Sequence, residues 1–331
     1  MSTGKIADLQ PGQAVRGRFL VARKELREAR TGKKFLDLTL MDQSGRRVVA
    51  RLWQEAESAA GAFEQGSVIA VEGAAETFRN ELQLRLHQIR VVPPEEADPS
   101  AFLPHSAKDI DALEHRIAEA VRSVSNSHLS ELLLSFFRDE GFSERFRTAP
   151  GAKALHHAYI GGLCEHTAEV VELCTKVADM FPELDRDLLL TGAILHDVGK
   201  TEELTWQTAF DYSDAGQLLG HLALGERMVR SHADQIEGFP EELKLRLSHM
   251  ILSHHGTAEF GSPKLPMTAE AIALHHAEDL DAKVNMFLGQ IAAAREQGRP
   301  WTDRHFLLKR SLYVGEAGKA GPPPEGAGNA H

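Results

Sequence analysis

The chain has 331 residues, 42% hydrophobic and 26% charged, with a formal net charge of −11. That balance belongs to a folded globular protein long enough for two domains, and it excludes a disordered or fibrous chain. No apolar run approaches the roughly 20 residues of a membrane helix, and MSTGKIADLQPG lacks the features of a signal peptide. A cytoplasmic protein without membrane association is therefore expected.

The charge is unevenly distributed. Residues 1–92 carry 15 Lys+Arg against 11 Asp+Glu, a net of +4, and the remainder carries 22 against 37, a net of −15. A basic module joined to an acidic one suggests that the front end meets a polyanion.

In chain order, VRGRFLVARKEL, KKFLDLTLMD, RVVARLW, SVIAVEGAAETF and LQLRLHQIRVV alternate with period two and read as five strands. One helical piece, EAESAAGAF, falls between the third and fourth. That order predicts an all-β OB-type barrel over residues 1–92. Residues 93–106, PPEEADPSAFLPHS, read as a linker, rich in proline and polar groups. From 107 to 314 nearly every segment has the i, i+3, i+4, i+7 period of an amphipathic helix, predicting an all-α bundle. Residues 315–331 read as a low-complexity, disordered tail. The fold class is thus multi-domain, a β-barrel followed by a helical bundle. Cys164 and Cys174, ten residues apart on one predicted helix, face different directions and are expected as buried free thiols.

Eleven of the 17 histidines lie between His156 and His276. A lone histidine on an apolar face is usually a satisfied core residue. Here successive helices each bring an imidazole or carboxylate near one end, which is how a bundle builds an interior metal site. The candidates are His166, His196 with Asp197, His221, the His254-His255 pair, and Glu278-Asp279. Imidazole with carboxylate suits Mn²⁺, Mg²⁺, Co²⁺ or Fe²⁺ better than a sulfur-rich zinc site. Adjacent His196 and Asp197 point about 100° apart on a helix, so they serve one metal only at a terminal turn, and Val198-Gly199 can supply it. A carboxylate there can bridge two ions, as phosphoryl chemistry asks. Lys200 is positioned to neutralise a phosphoryl oxygen, or else to complement the helix dipole.

These motifs carry a resemblance. HHAYIGGLCEHT, ILHDVGKTEEL, GHLALGE, ILSHHGT and LHHAEDLDAKV, preceded by an OB-like module, are similar to those of the YhaM-type 3′-5′ exoribonucleases, within the HD-domain metal-dependent phosphohydrolases. The likeness spans nearly the whole chain. It implies that His166, His196 and Asp197 are core metal ligands, with His221 and His254 or His255 added for a second ion. The family's late motif reads Ala-Asp-x-x-Asp, whereas Glu278 stands at the usual ligand position here, followed by Asp279. The late ligand is therefore left between these two. His156, His157, His275 and His276 are expected to orient ligands or touch phosphate.

An OB barrel binds single strands by stacking bases on aromatics while basic groups follow the backbone. Phe35, Trp53 and Phe78 with Arg51, Arg79 and Arg85 are the candidates, although the aromatics also fit barrel-core positions. The combined expectation is a nuclease using one or two divalent ions, Mn²⁺ first, with His196, Asp197 and Lys200 as catalytic residues. It would release nucleoside 5′-monophosphates from the 3′ end of single-stranded nucleic acid, RNA ahead of DNA, and a homo-oligomer is left open. Two alternatives use the same motifs: a nucleotide phosphohydrolase or cyclic-dinucleotide phosphodiesterase, and a non-catalytic single-strand-binding or nucleotide-sensing protein.

Overall fold

Fifteen residues, Ala14–Glu28 (β1), form a strand long enough to serve two neighbours. Its first half pairs antiparallel with β4 (Val68–Phe78), its second half with β2 (Lys34–Met41). β2 pairs with β3 (Arg47–Leu52), and β3 runs parallel to β5 (Glu81–Val91), which returns antiparallel to β4. The order β1-β2-β3-β5-β4 closes a barrel and leaves no open edge. The short helix α1 (Ala56–Ala60) lies between β3 and β4, as expected of an OB-type barrel. Period-two alternation turns Leu36, Leu38 and Leu40 inward with Phe19, Ala50, Ile69, Val71 and Leu84. Each fully buried Leu or Phe contributes about 1.5–3 kcal/mol relative to exposure.

The structure, a computed structural model, describes residues 5–315 apart from Asn80, Leu155, His156 and Phe306. The expected tail beyond residue 315 and the candidate His156 lie outside the described residues. The chain divides into two compact units. One holds the residues up to His105 with Trp206–Ala209, the other Ser106–Thr205 and the residues from Phe210 on. The stretch expected as a linker carries two 3-10 turns, Pro94–Glu96 and Pro99–Phe102. Arg18 of β1 donates to the Glu96 carbonyl at 2.9 Å, and Phe102 and Leu103 are buried.

The second unit is helical. α2 (Ile110–Ser123), α3 (Ser127–Phe137) and α4 (Glu140–Thr148) start at Asp109, Asn126 and Asp139, whose side chains accept the first free backbone N–H groups. α5 (Gly162–Met180) and α6 (Arg186–Leu195) follow. Every residue of α6 from Leu188 to Leu195 is buried, so this helix lies at the centre, contacted by α2, α3 and α5. A short α7 (Lys200–Glu203) leads through the two-residue strands β6 (Leu204–Thr205) and β7 (Asp211–Tyr212) to α8 (Asp214–Asp234). α9 (Glu241–Ser253) and α10 (Ala269–Glu296) complete the bundle and also pack on α6. Cys164 and Cys174 are buried and free. No helix among the described residues is long and apolar enough to cross a membrane.

Candidate active site

ILHDVGK closes α6. His196 keeps helical dihedrals (φ −56°, ψ −36°), and the chain turns through Asp197, Val198 and Gly199 before α7 begins at Lys200. A Cβ on Gly199 would lie 2.1 Å from the His221 carbonyl oxygen and 2.6 Å from the Gly225 nitrogen. α8 therefore crosses directly over this position, and the glycine brings His221 to Asp197. Gly220 breaks α8 with φ 72° and ψ 159°, a conformation open to glycine. Beyond the break, the backbone N–H and Nδ1 of His221 both donate to Glu203 Oε1 at 3.0 Å. His166 sits in the first turns of α5, and His254 and His255 follow the last residue of α9.

Four imidazoles converge on one carboxylate. His166 Nε2 and His196 Nε2 lie 3.5 and 3.4 Å from Asp197 Oδ2. His221 Nε2 and His254 Nε2 each lie 3.5 Å from Asp197 Oδ1. His255 Nε2 is 3.3 Å from His221 Nε2. The other ring nitrogens set the tautomers, because their partners can only accept. Nδ1 of His166 donates to Asp281 Oδ2 (2.6 Å), that of His196 to the Ala193 carbonyl (2.8 Å), and that of His254 to the Ile251 carbonyl (2.8 Å). Wherever such a ring is neutral, its Nε2 therefore presents a lone pair to the centre. Asp197 Oδ1 and His254 Nε2 are buried without a hydrogen-bond partner, two acceptors facing one another. A cation relieves that arrangement, and the donor set fits a divalent ion on each side of Asp197. Among the donor groups that could hold an ion, His166, His196 and Asp197 form one trio, and His221, His254 and His255 a second.

The electrostatics agree with the geometry. Burial lowers His166 to about 4, outweighing Asp281, and takes His254 well below its ordinary value. Burial opposes the charge on Asp197, yet Lys200 and His196 hold its carboxyl well below the usual range. Lys200 Nζ lies 2.6 Å from Asp197 Oδ2, and that carboxylate keeps the ammonium charged against the cost of burial. Burial and the Asp197 charge push Glu278 up to about 7.

Other expected residues sort by position. Asp279 pairs with Lys283 at 2.7 Å, and neither it nor Glu278 belongs to a donor trio. A neighbour of Glu278 points about 100° away on a helix, here toward an i+4 lysine. The charges of Asp197, His196 and Lys200 act on Glu278. His157 accompanies the ligands, with Nε2 3.0 Å from Asp281 Oδ2 and Nδ1 2.9 Å from the Tyr159 hydroxyl. His275 donates from Nδ1 to the His254 carbonyl at 2.7 Å, bracing the end of α9, while His276 is exposed. The sequence reading missed Asp281 and Glu203 as partners of ligand histidines. Asp281 was foreshadowed by the last aspartate of the late motif, three residues after Glu278. Glu203 lies three residues after Lys200 and gave no separate signal.

Residues 163–283 match the HD domain family, which implies a divalent metal. Over 287 residues the chain is 36% identical to the 3′-5′ exoribonuclease YhaM of Bacillus subtilis (strain 168), covering 86% of this chain and 90% of that protein. The chain belongs to the YhaM family of 3′-5′ exoribonucleases. Over smaller shares it is similar to solved structures. One is the second OB-fold domain of replication protein A from Methanococcus maripaludis (20% identity, 28% of this chain and 95% of that chain, TM-score 0.22). Another is the mitochondrial single-stranded DNA binding protein Rim1 of S. cerevisiae (15% identity, 26% and 96%, TM-score 0.21).

The barrel of this YhaM-family chain gathers the expected surface residues. Phe35 and Trp53 stack with ring centroids 4.4 Å apart and planes at 22°. Both are half-buried, and neither belongs to the barrel core. The Arg51 guanidinium lies 5.9 Å from the Phe35 ring and 5.2 Å from Phe78, and Arg79 lies 5.4 Å from Phe78. Arg85 stands in register with Arg51 on the adjacent parallel strand and is exposed. A continuous aromatic and cationic strip results, with Phe78 46% exposed at its end.

Proposed function

We propose that this chain is a divalent-metal-dependent 3′-5′ exonuclease that shortens single-stranded RNA from its 3′ end, releasing nucleoside 5′-monophosphates. The polarity and the RNA substrate rest on membership of the exoribonuclease family. The carrying observation is the convergence of four Nε2 atoms on the two oxygens of Asp197, each between 3.4 and 3.5 Å away.

His166, His196, Asp197 and Glu278 would hold one ion, and His221, His254, His255 and the second oxygen of Asp197 the other. Bound there, divalent ions polarise a phosphodiester and lower the pKa of a water at neutral pH. We assign Mn²⁺ first, since imidazole-carboxylate donors without sulfur suit it. Asp281 and Glu203 hold the rings of His166 and His221 in the tautomer that leaves Nε2 unprotonated. The Lys200 ammonium, aligned by Asp197, is placed to offset charge on the phosphoryl oxygens. The Phe35–Trp53 stack takes bases, with Arg51, Arg79 and Arg85 along the phosphates, and such a face tolerates any base sequence. Buried, unpaired cysteines suit a reducing compartment, and we place the protein in the cytoplasm.

Incubating 5′-labelled single-stranded RNA with Mn²⁺ should give a ladder shortening by one nucleotide at a time, and EDTA should abolish it. Activity that survives complete chelation, or cleavage confined to free nucleotides, would overturn this reading.

A further inference from the structure

The C-terminal part of the acidic helical unit contains a basic, aromatic hairpin. From Arg299 to Tyr313 the sequence RPWTDRHFLLKRSLY holds four Lys or Arg and one Asp. Arg299 engages Asp303 through two hydrogen bonds of 3.1 and 3.0 Å, which accounts for the single carboxylate. Arg304, Lys309 and Arg310 are exposed, with no carboxylate within ion-pair distance among the described residues.

The backbone fixes what this segment displays. Trp301 bridges Tyr313 and His305 bridges Arg310, both antiparallel. Thr302 N–H donates to the Leu312 carbonyl at 3.0 Å, and Leu312 N–H returns to Thr302 Oγ1 at 2.8 Å. Thr302 and Leu312 are buried, so alternation turns their neighbours Trp301 and Tyr313 outward. Those two rings lie 5.1 Å apart and remain 54% and 59% exposed. Two large aromatics held side by side in water, on a segment that also carries three exposed cations, do nothing for the core beneath them.

We propose that this hairpin is a second contact for single-stranded RNA, with Trp301 and Tyr313 stacking on bases and Arg304, Lys309 and Arg310 engaging phosphates. The inference rests on RNA being the substrate. Bases stack on exposed aromatic faces, and cations follow the strand. A protein partner would favour an apolar centre depleted of charge instead. Elsewhere the unit is acidic and repels a polyanion, so a local cationic patch can orient the strand. Glu278, beside the metal ligands, precedes the end of α10 at Glu296 by about 27 Å of helix axis. A strand reaching both places spans several nucleotides, so the contact serves long substrates and a dinucleotide bypasses it.

Two full-length variants test this, Trp301→Ala/Tyr313→Ala and Arg304→Ala/Lys309→Ala/Arg310→Ala, with fluorescence anisotropy on a labelled 20-nucleotide RNA in EDTA reporting binding alone. The aromatic variant should raise the Kd about tenfold. The charge variant, which leaves the rings and the buried Thr302 and Leu312 in place, should flatten the salt dependence of log K by about 2. With Mn²⁺, KM for the 20-mer should rise in both while kcat on a dinucleotide holds. Unchanged RNA affinity and salt slope in both variants overturn the proposal, and so does a change of oligomeric state at unchanged affinity, which would make the hairpin an interface between copies. If the unmodified protein fails to cleave RNA at all, the functional reading has failed instead.

Discussion

The metal centre and the barrel face use the same kinds of group in opposite ways. At the centre the donors are buried or half-buried, and four imidazoles are pinned by a partner behind them: Asp281 behind His166, Glu203 behind His221, and backbone carbonyls behind His196 and His254. On the barrel face, Phe35, Trp53, Arg51 and Phe78 touch one another in a chain open to solvent. The first arrangement is interdependent, because removing one element strands a buried lone pair or charge. The second is graded, because water replaces any group removed. Catalysis needs groups that hold position against charge repulsion, whereas capture of a moving strand needs many weak contacts.

The comparison can be broken at its strongest point first. Asp197→Asn removes the charge shared by both donor trios, and exonuclease activity should fall to background with Mn²⁺ stoichiometry reduced in equilibrium dialysis. Activity within a few-fold of the unmodified protein would remove Asp197 from the centre of the site. Next in size is Asp281→Asn, which touches no proposed ion directly but frees the His166 ring. Loss of about 10–100-fold in metal affinity or activity is expected. A change in thermal stability with metal affinity intact would instead make Asp281 merely structural.

On the barrel face, Trp53→Ala should weaken single-strand RNA binding by about 1–3 kcal/mol, read as a raised KM on long RNA at unchanged kcat on a dinucleotide. A fall in kcat on both substrates would show that Trp53 supports the fold and not the strand. The smallest effect belongs to Arg85→Ala, a single exposed cation. Its loss should reduce the salt slope of RNA binding by about 0.7, with little change in turnover. A collapse of binding from this one change would refute the graded character of the face.

Much of this was legible in linear order. Alternation at Leu36, Leu38 and Leu40 marked β2 because one face of a closed sheet must be apolar. His196-Asp197 next to Gly199 signalled a helix end carrying a candidate ligand pair, and the structure shows α8 crossing over Gly199 there. Less legible was the acidic run on α10. Glu278, Asp279 and Asp281 are equally polar in sequence, yet one is raised by burial and the Asp197 charge, one meets Lys283, and one receives His157 and His166. Trp53 was ambiguous for a related reason, since barrel core and stacking face share a strand edge.

Periodicity, order and residue chemistry thus determined the barrel, the bundle and the histidine set, because backbone pairing and apolar burial read a local pattern. Tertiary structure decided which atoms meet. Asp197 became the shared carboxylate only where α5, α6, α8 and α9 bring their ends together, and Asp281 became a histidine's partner only through the angular setting of α10. Trp301 and Tyr313 became a displayed pair only because Thr302 and Leu312 are anchored beneath them. Each of these depends on helix crossings and strand pairings between residues far apart in the chain, which local propensity does not encode.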